Sequence, residues 1–476
     1  MNETISNFIT NINTAINSAK EESGSTYIYT NHAKEIKKIP DKWKKYFGNT
    51  IKTNDKNVGQ LLIKQPSFRY IGTPTDLQEL FRGCTNLTEV DFSQINTSSV
   101  TNIQGLVQEC TKLQSTAFLS QIDTSNLTNM QMLFQGCTGL QTVTFPTTFN
   151  TSKVTTMQNL FRECSSLTTV TFPNTWDTSK VYNFGYMFLN CAKLQSVDLT
   201  YFNTTALTDM YSMFSGCSSL TSLTFPNTFT LNGKTVAMSG CFQNCSKLTS
   251  LDLSGWGSIT TTSSFSDMFR NCSSLTTLTL PTSINFATAG TTGFSYYFAS
   301  CPKLTSLDLS GWTASLFTRA DNMFYGCSAL TSVIFPQTVN FSKCTRIESM
   351  FQNCTNLTTI TIPNFYADAI NTIVNLFSGD TKITTLSGTN FLKNLGKGYT
   401  STTANYSNYK LTATMTTLSH DSIMLIINNV YDLNLTYNVS GGGTLKTQGL
   451  NFGSTNLAKL TSEEKAIATA KGWTLS

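Results

Sequence analysis

Charge is scarce in this chain. Asp, Glu, Lys and Arg make up 12% of 476 residues, with a net charge of +5. No basic run of nucleic-acid-binding character interrupts the body of the chain, so nucleic acid is not an expected partner. Histidine is scarcer still, with only His32 and His420, both near the ends. A Ser–His–Asp triad therefore lacks its base through most of the chain. A zinc site needs clustered Cys or His, and there is no C-x-x-C pair. No apolar run approaches the ~20 residues of a membrane-spanning helix. The first residues, Met1 to Phe8, have neither a basic nor a long apolar segment, so a signal peptide is not expected. No phosphate loop or lipidation pattern is present. Low charge goes with disorder only when apolar residues are also few. Here they are 39% of the chain and strongly periodic.

The period is carried by Phe, a Cys three residues on, and a Leu three further on, as in Phe161, Cys164 and Leu167. The cysteines stand at 84, 110, 137, 164, 191, 217, 245, 272, 301, 327 and 354, in steps of 26 to 29. A last copy keeps Phe377 and Ile383 but has Asp380 in place of Cys. About twelve copies of this length mean a stacked solenoid, each copy packing mainly on its neighbours. Within a copy, Val154, Met157, Leu160, Phe161 and Cys164 are spaced as one face of a three-turn helix. Thr-Ser before Val154 reads as its N-cap. Glycine before the Cys (Gly83, Gly136, Gly216, Gly326) reads as a left-handed stop. Val170-Thr171-Phe172 alternates like a half-buried strand, and a proline often follows. The expected fold class is α/β: helix–strand repeats laying one strand per copy into a parallel sheet, with a cap at each end.

The runs L-T-S-L-D-L-S-G-W (248–256 and 304–312), N-T-S-x-V-T-x-M and M-F-x-x-C-S-x-L resemble the BspA-like leucine-rich-repeat proteins over residues 75–395. The resemblance implies a curved solenoid that mediates binding or adhesion at a cell or virion surface, with no catalysis and no cofactor. Residues 412–476 resemble the C-terminal cap of such proteins in phages and prophages. Physically they read as helix, strand, helix, strand. Thr461-Ser-Glu-Glu starts the last helix, Gly472 stops it, and Trp473-Thr-Leu forms a closing strand. Extended loops are expected at Gly396–Lys410 and Gly441–Gly443.

Four regions follow: an amphipathic attachment helix (1–25), an N-terminal cap (26–75), the solenoid (76–395) and C-terminal capping repeats (396–476). Ile5, Phe8, Ile9, Ile12 and Ile16 form the stripe of the first helix, which alone cannot bury it and is expected to attach to a partner. In the second region Ile36, Ile39, Trp43 and Phe47 lie among lysines, as in a cap with a polar outer face.

All thirteen cysteines fall at inward positions. Neighbouring ones could come within about 5 Å, the strand spacing. Even so, a buried thiol acting as a small apolar residue is the preferred reading. Acid pairs are few, and Asp198, Asp252 and Asp308 share one strand position in different copies. They belong to the candidate ligand face, the outward side of the strands: Thr142, Thr144, Thr169, Thr171, Asp198, Thr224, Asp252, Thr279 and Asp308. A flat hydroxyl array with interspersed carboxylates suits glycan hydroxyls or protein edge groups. The bland reading is that Thr is a good strand residue. A column of aromatics after the strands, such as Phe149, Trp176, Phe202 and Trp256, reads as core under the return loop. The expected function is a non-enzymatic binding protein on a virion, such as a tail fibre. Its first helix would hold it to other virion proteins, and its solenoid would meet a host surface glycan or protein. The alternative is a bacterial cell-surface adhesin. Homo-oligomerisation is left open.

Overall fold

The inward set of each copy is as the spacing predicts: Val154, Met157, Leu160, Phe161 and Cys164 are all fully buried. The segment carrying them is not a helix. In the first copy the N–H groups of Leu80, Arg82 and Cys84 donate to carbonyls only three residues back, at 3.0–3.2 Å. The N–H groups in between, of Leu77, Glu79, Phe81 and Gly83, point along the stack. They donate to Asn102, Gln104, Leu106 and Gln108 of the next copy, at 2.7–2.9 Å. An α-helix would keep all these donors within its own segment. Two left-handed residues four apart, such as Asn159 and Glu163 with φ of 58° and 63°, turn alternate N–H groups outward instead. The glycines before Cys have the expected left-handed backbone, with φ of 70–74° at Gly83, Gly136, Gly216 and Gly326. The helix of the expected helix–strand repeat is thus replaced by a run of linked turns.

The computed structural model describes residues 74–397, apart from 94, 261–264, 282, 286–292, 314–316 and 371–372, together with 411–414, 417–434 and 448–476. The attachment stripe Ile5, Phe8, Ile9, Ile12 and Ile16, the N-terminal cap up to residue 73 and most of both expected loops lie outside these residues.

The Thr-Ser pair also acts differently from the predicted N-cap. Thr151 is fully buried. Its hydroxyl accepts the N–H of Asp177 from the next copy at 2.8 Å. Thr97, Thr124 and Thr178 do the same for Asp123, Asn150 and Asn203. The recurring Thr therefore fastens copy to copy and satisfies a donor that burial would otherwise leave orphaned.

Strands follow most of the turn runs and pair in parallel. The segments after Cys84, Cys110, Cys191 and Cys217 form no strand, so the expected one strand per copy is met only in part. β1 (Thr142–Thr144) pairs with β2 (Thr169–Thr171), and β3 (Ser250–Asp252) with β5 (Thr277–Thr279). β7 (Ser306–Asp308), β9 (Ser332–Ile334), β10 (Thr359–Thr361) and β11 (Thr385–Ser387) form one continuous sheet. Equivalent residues face each other, as in Thr142 with Thr169 and Val143 with Val170. On the return side, β4 (Ser258–Thr260), β6 (Ser283–Asn285) and β8 (Trp312–Thr313) add a second short sheet.

Two columns of side chains run the length of the core. Phenylalanines from Phe134 to Phe377 stack copy on copy, with centroids 5.3–6.2 Å apart and planes within 17°. Each fully buried ring contributes about 1.5–3 kcal/mol. Beside them, the cysteines from Cys110 to Cys354 donate S–H to a carbonyl of the preceding copy at 3.0–3.2 Å. None of the thirteen cysteines is in a disulfide, and all are buried. The repeat Cys is thus more than a small apolar filler, because its thiol supplies a weak donor.

The end of the sheet is covered. In α1 (His420–Asn429) the Ser422 hydroxyl accepts the Leu386 N–H of β11 at 2.9 Å. This closes an edge that would otherwise pair with another chain. On α1, Ile423, Ile426 and Ile427 are buried, and Leu425 is only half-buried. A short α2 (Gly453–Leu457) follows β12 (Leu411–Thr412) and β13 (Gln448–Asn451). Thr461 and Glu464 then form the predicted capping box of α3 (Ser462–Ala470). Gly472 ends α3 at φ 83°, and β14 (Trp473–Leu475) pairs with β13. Lys471 reaches back to donate to the carbonyls of Ile427 and Asn428 at the C-terminus of α1, where a cation also suits the helix dipole.

Asp380 breaks the Cys column. It is 2% exposed, and neither carboxyl oxygen reaches a hydrogen-bond partner. Burial lifts its pKa from 3.8 to about 8, against a weaker pull from the Cys354 backbone. The folded chain therefore holds a proton that the unfolded chain has released. Stability is full below the unfolded value, falls as pH rises from about 4 to 8, and then levels off. Asp380→Cys, which restores the column, removes this slope and raises Tm by about 5 °C near pH 8. Thermal melts from pH 4 to 9 test this, and an unchanged slope contradicts it.

Candidate binding surfaces

In β1, β2, β3, β7, β9 and β10 only the middle residue is buried, and both neighbours face out. Thr142, Thr144, Thr169, Thr171, Asp198, Thr224, Asp252, Thr279 and Asp308 are all exposed. Strand pairing holds Thr142 and Thr144 opposite Thr169 and Thr171, while Asp198 and Thr224 lie in segments that form no strand. The threonine one position before the strand has a different task. Thr168 Oγ1 donates to the Gln141 carbonyl at 3.0 Å, and Thr276 Oγ1 to that of Thr249 at 2.9 Å.

The aspartates of this face have a local role. Asp198 Oδ1 accepts the N–H of Thr200, Asp252 Oδ1 that of Ser254, and Asp308 Oδ1 that of Ser310, all at 2.8–2.9 Å. Each closes a turn in a copy that lacks the proline found after the strand position at 146, 173, 226, 281, 336 and 363. The Ser254 backbone and hydroxyl hold the Asp252 carboxyl below its usual pKa. One oxygen of each carboxylate is thus engaged by its own loop. In the same column Ile334, between Asp308 and Thr361, is 54% exposed. The face therefore carries hydroxyls, tethered carboxylates and one apolar spot.

The aromatic column is core, as expected: Phe149, Trp176, Phe202, Phe229, Trp256, Trp312, Phe341 and Phe365 are buried. His420 is half-exposed on α1, with Nε2 2.8 Å from Glu464 Oε1. That hydrogen bond, and then Asp421, raise its pKa. It is a surface link between α1 and α3.

A second surface was not anticipated. Tyr182 takes the place held by Thr155 and Thr208 in adjacent copies, as the ladder bonds Tyr182 N to Thr155 O and Thr208 N to Tyr182 O show. It is 46% exposed. Tyr211 takes the place of Gln158 and is 39% exposed. Its ring lies 5.1 Å from that of Tyr186, and the Arg162 guanidinium sits 6.0 Å from the Tyr186 ring. Beneath them Asp209 accepts from Tyr211 N and from Asn183 Nδ2. Tyrosine and arginine in a cluster are common anchors of binding surfaces. The signal lay in the sequence, where Tyr breaks a column of Thr.

These features define a class, a leucine-rich-repeat solenoid with an exposed, mostly uncharged flank. Residues 236–366 and 291–425 match the BspA-type leucine-rich repeat region. Residues 75–169 and 146–228 match a family described as a Mycoplasma protein of unknown function, DUF285. The chain folds as a leucine-rich-repeat solenoid, and its residues 236–425 match the BspA-type repeat. Among solved structures, it is similar to a leucine-rich repeat protein from Bacteroides ovatus, at 18% identity and TM-score 0.38, covering 70% of this chain and 80% of that one. A leucine-rich cell surface protein from Faecalibacterium prausnitzii is similar at 20% identity and TM-score 0.31, over 65% of this chain and 81% of that one. The T. pallidum leucine-rich repeat protein gives 23% identity and TM-score 0.26, over 38% and 73%. Likenesses with TM-scores this low carry no argument about this chain. No curated protein matches the chain.

If Tyr182 is surplus to the fold, Tyr182→Thr changes stability by less than ~0.5 kcal/mol. Chemical denaturation measures this, and a loss above ~1.5 kcal/mol would make Tyr182 a packing residue instead.

Proposed function

We propose that the chain is a non-enzymatic binding or adhesion module displayed at a bacterial cell surface, where its solenoid meets a glycan or a protein. One observation carries the reading. The recurring apolar, aromatic and thiol positions are taken by the core, while the exposed positions recur in register from copy to copy. Such a flank offers many weak, regularly spaced contacts to an extended partner, which suits adhesion. The surface setting rests on the BspA-type match and is in keeping with the cell-surface description of the F. prausnitzii protein. The virion setting depended on Ile5, Phe8, Ile9, Ile12 and Ile16 as an attachment stripe and on the tail. Neither family match supports it, so the surface reading is preferred.

Antibody labelling of intact producing cells tests the setting. The expected result is labelling without lysis, lost after brief external protease treatment. Labelling only after lysis, or recovery of the protein in purified phage particles, would overturn it. Thr144→Lys with Thr171→Lys tests the strand face. If that face makes the contact, binding of the pure protein to mucin-coated or host-cell surfaces falls at least tenfold with an unchanged melt.

A further inference from the structure

The threonine that opens a turn run has a structural task. The hydroxyls of Thr101, Thr128, Thr155 and Thr208 each donate to the carbonyl at the same place one copy back, at 3.0–3.4 Å. Tyr182 stands in this column with its backbone bonds intact, but it has no Oγ1 to make that bond. The fold gives up a hydrogen bond there and exposes a ring. Three residues on, earlier copies carry a glutamine whose amide bonds the next copy. Gln104 Oε1 accepts Asn129 Nδ2 at 3.0 Å, and Gln131 Nε2 donates to Thr156 Oγ1 at 2.9 Å. Gly185 removes this side chain, and Tyr211 takes the same place in the copy after. A Cβ on Gly185 would lie 2.9 Å from Asn183 Oδ1 and 3.5 Å from both oxygens of Asp209. Two neighbouring copies thus depart from the pattern at Tyr182, Gly185 and Tyr211, around one carboxylate.

That carboxylate is held in a fixed orientation. Asp209 Oδ1 accepts Tyr211 N at 2.8 Å and Oδ2 accepts Asn183 Nδ2 at 3.1 Å, while Asn183 Oδ1 accepts Gly185 N at 2.6 Å. Each Asp209 oxygen keeps a further lone pair, and the Asn183 amide keeps one N–H. Beside this pair lie the Tyr186 and Tyr211 rings, tilted by 51° to each other. Burial first, and then Tyr211 and Asp209, push the Tyr186 hydroxyl above its usual pKa, so it stays a neutral donor. Arg162 is paired with Glu163 at 3.1 Å. Asp209 is therefore the unpaired charge of the cluster, which disfavours an anionic ligand. At the position of Tyr186 one copy back, Asn159 is 5% exposed, and its side-chain oxygen has no hydrogen-bond partner. Its backbone is bonded to both Gly185 and Arg162. The cluster thus borders a buried acceptor without a donor, which is uncommon in a finished fold.

An arginine beside a tyrosine is not enough to make such a site. Arg270 lies 4.3 Å from the centre of the Tyr296 ring, but there Asp321 holds the place of Tyr211. Ser295, in the place of Gly185, donates to Asp321 at 2.9 Å, and Arg319 covers both of its oxygens. At Asp209 neither cover exists. A pyranose has an apolar C–H face and an edge of hydroxyls, each of which gives and takes a hydrogen bond. An aromatic face beside a fixed acceptor and donor matches both parts. A peptide group only gives or only takes, and suits the pair less well. We propose that Tyr186, Tyr211, Asp209 and Asn183 bind one neutral hexose unit of a glycan, with Tyr182 flanking it. The sugar ring stacks on tyrosine, and two adjacent hydroxyls bond Asp209 and Asn183. The proposal rests on the binding-module reading and gives it a site, separate from the strand face, and a ligand class.

Saturation-transfer NMR on the full chain tests it, with the methyl glycosides of glucose, mannose and galactose, and with methyl glucuronide as the anionic comparison. At least one neutral glycoside is expected to receive saturation, most strongly at its ring C–H protons. Tyr186→Asn with Tyr211→Gln installs the residues that the fourth copy carries at these places, Asn159 and Gln158. This double variant is expected to bind at least ~tenfold more weakly with an unchanged melt. Asp209→Asn keeps the turn, as Asn129 does by accepting Gln131 N at 3.0 Å, and is expected to weaken binding at least ~fivefold. No binding of any neutral glycoside, equal binding by either variant, or binding of the glucuronide alone would overturn the proposal. So would binding to mucin stripped of its glycans that the tyrosine variant loses, since the site would then be a protein contact. Should the double variant not fold, Tyr211→Gln alone decides by the same outcomes. Surface labelling of intact cells is read separately. Labelling with no glycoside binding removes this site and leaves the adhesion module standing. Glycoside binding without labelling does the reverse.

Discussion

Half of the backbone donors in each turn run leave their own copy and bind the next. In the fourth copy Met157, Asn159, Phe161 and Glu163 donate to Asn183, Gly185, Met187 and Leu189, at 2.7–3.0 Å. A copy taken alone would leave these groups orphaned, and its Phe and Cys would lie bare. The stack is therefore the folding unit, and the buried Thr ladder and the S–H donors reinforce the same direction. Stability in such an array is a sum of contacts between neighbours. That is why one wrong residue in a column, such as Asp380, is felt where it sits.

The same constraint sets the surface free. Because most contacts between copies are made by backbone and inward side chains, with an outward Thr such as Thr276 adding a bond, the remaining outward positions answer to little except solubility. Thr and Ser fill them by default. Departures from that default then carry information: Tyr182 in a column of Thr, and Ile334 in a column of Thr and Asp. The strand face and the tyrosine cluster are two surfaces on one frame. They differ in chemistry rather than in shape.

The period, the inward residues and the strands were legible because spacing alone carries them. Val154, Met157, Leu160, Phe161 and Cys164 lie inward whether the segment is a helix or a chain of turns. Spacing therefore could not separate the two. The distinguishing mark is a left-handed residue at two fixed positions, which Gly83 and Gly136 display but Met132, Glu163 and Tyr186 conceal. The aspartates were placed on the right face, yet their turn-closing role needed the Ser or Thr two residues later to be read with them. The Cys column was read as apolar, and its S–H bonds emerge only once the preceding carbonyl is seen. Of the surfaces, the strand face followed from alternation. The tyrosine cluster did not, since Arg162, Tyr186 and Tyr211 stand in different copies that a linear reading keeps about 25 apart.

Amide hydrogen exchange resolved to single residues tests the central claim most directly. Within 157–164 the account predicts alternation. The N–H groups of Met157, Asn159, Phe161 and Glu163 should be protected as strongly as the strand residue Val170. Those of Leu160 and Arg162, held only by 3.2 Å turn bonds within the copy, should exchange faster. Uniform protection across the segment, as an α-helix would give, would contradict it.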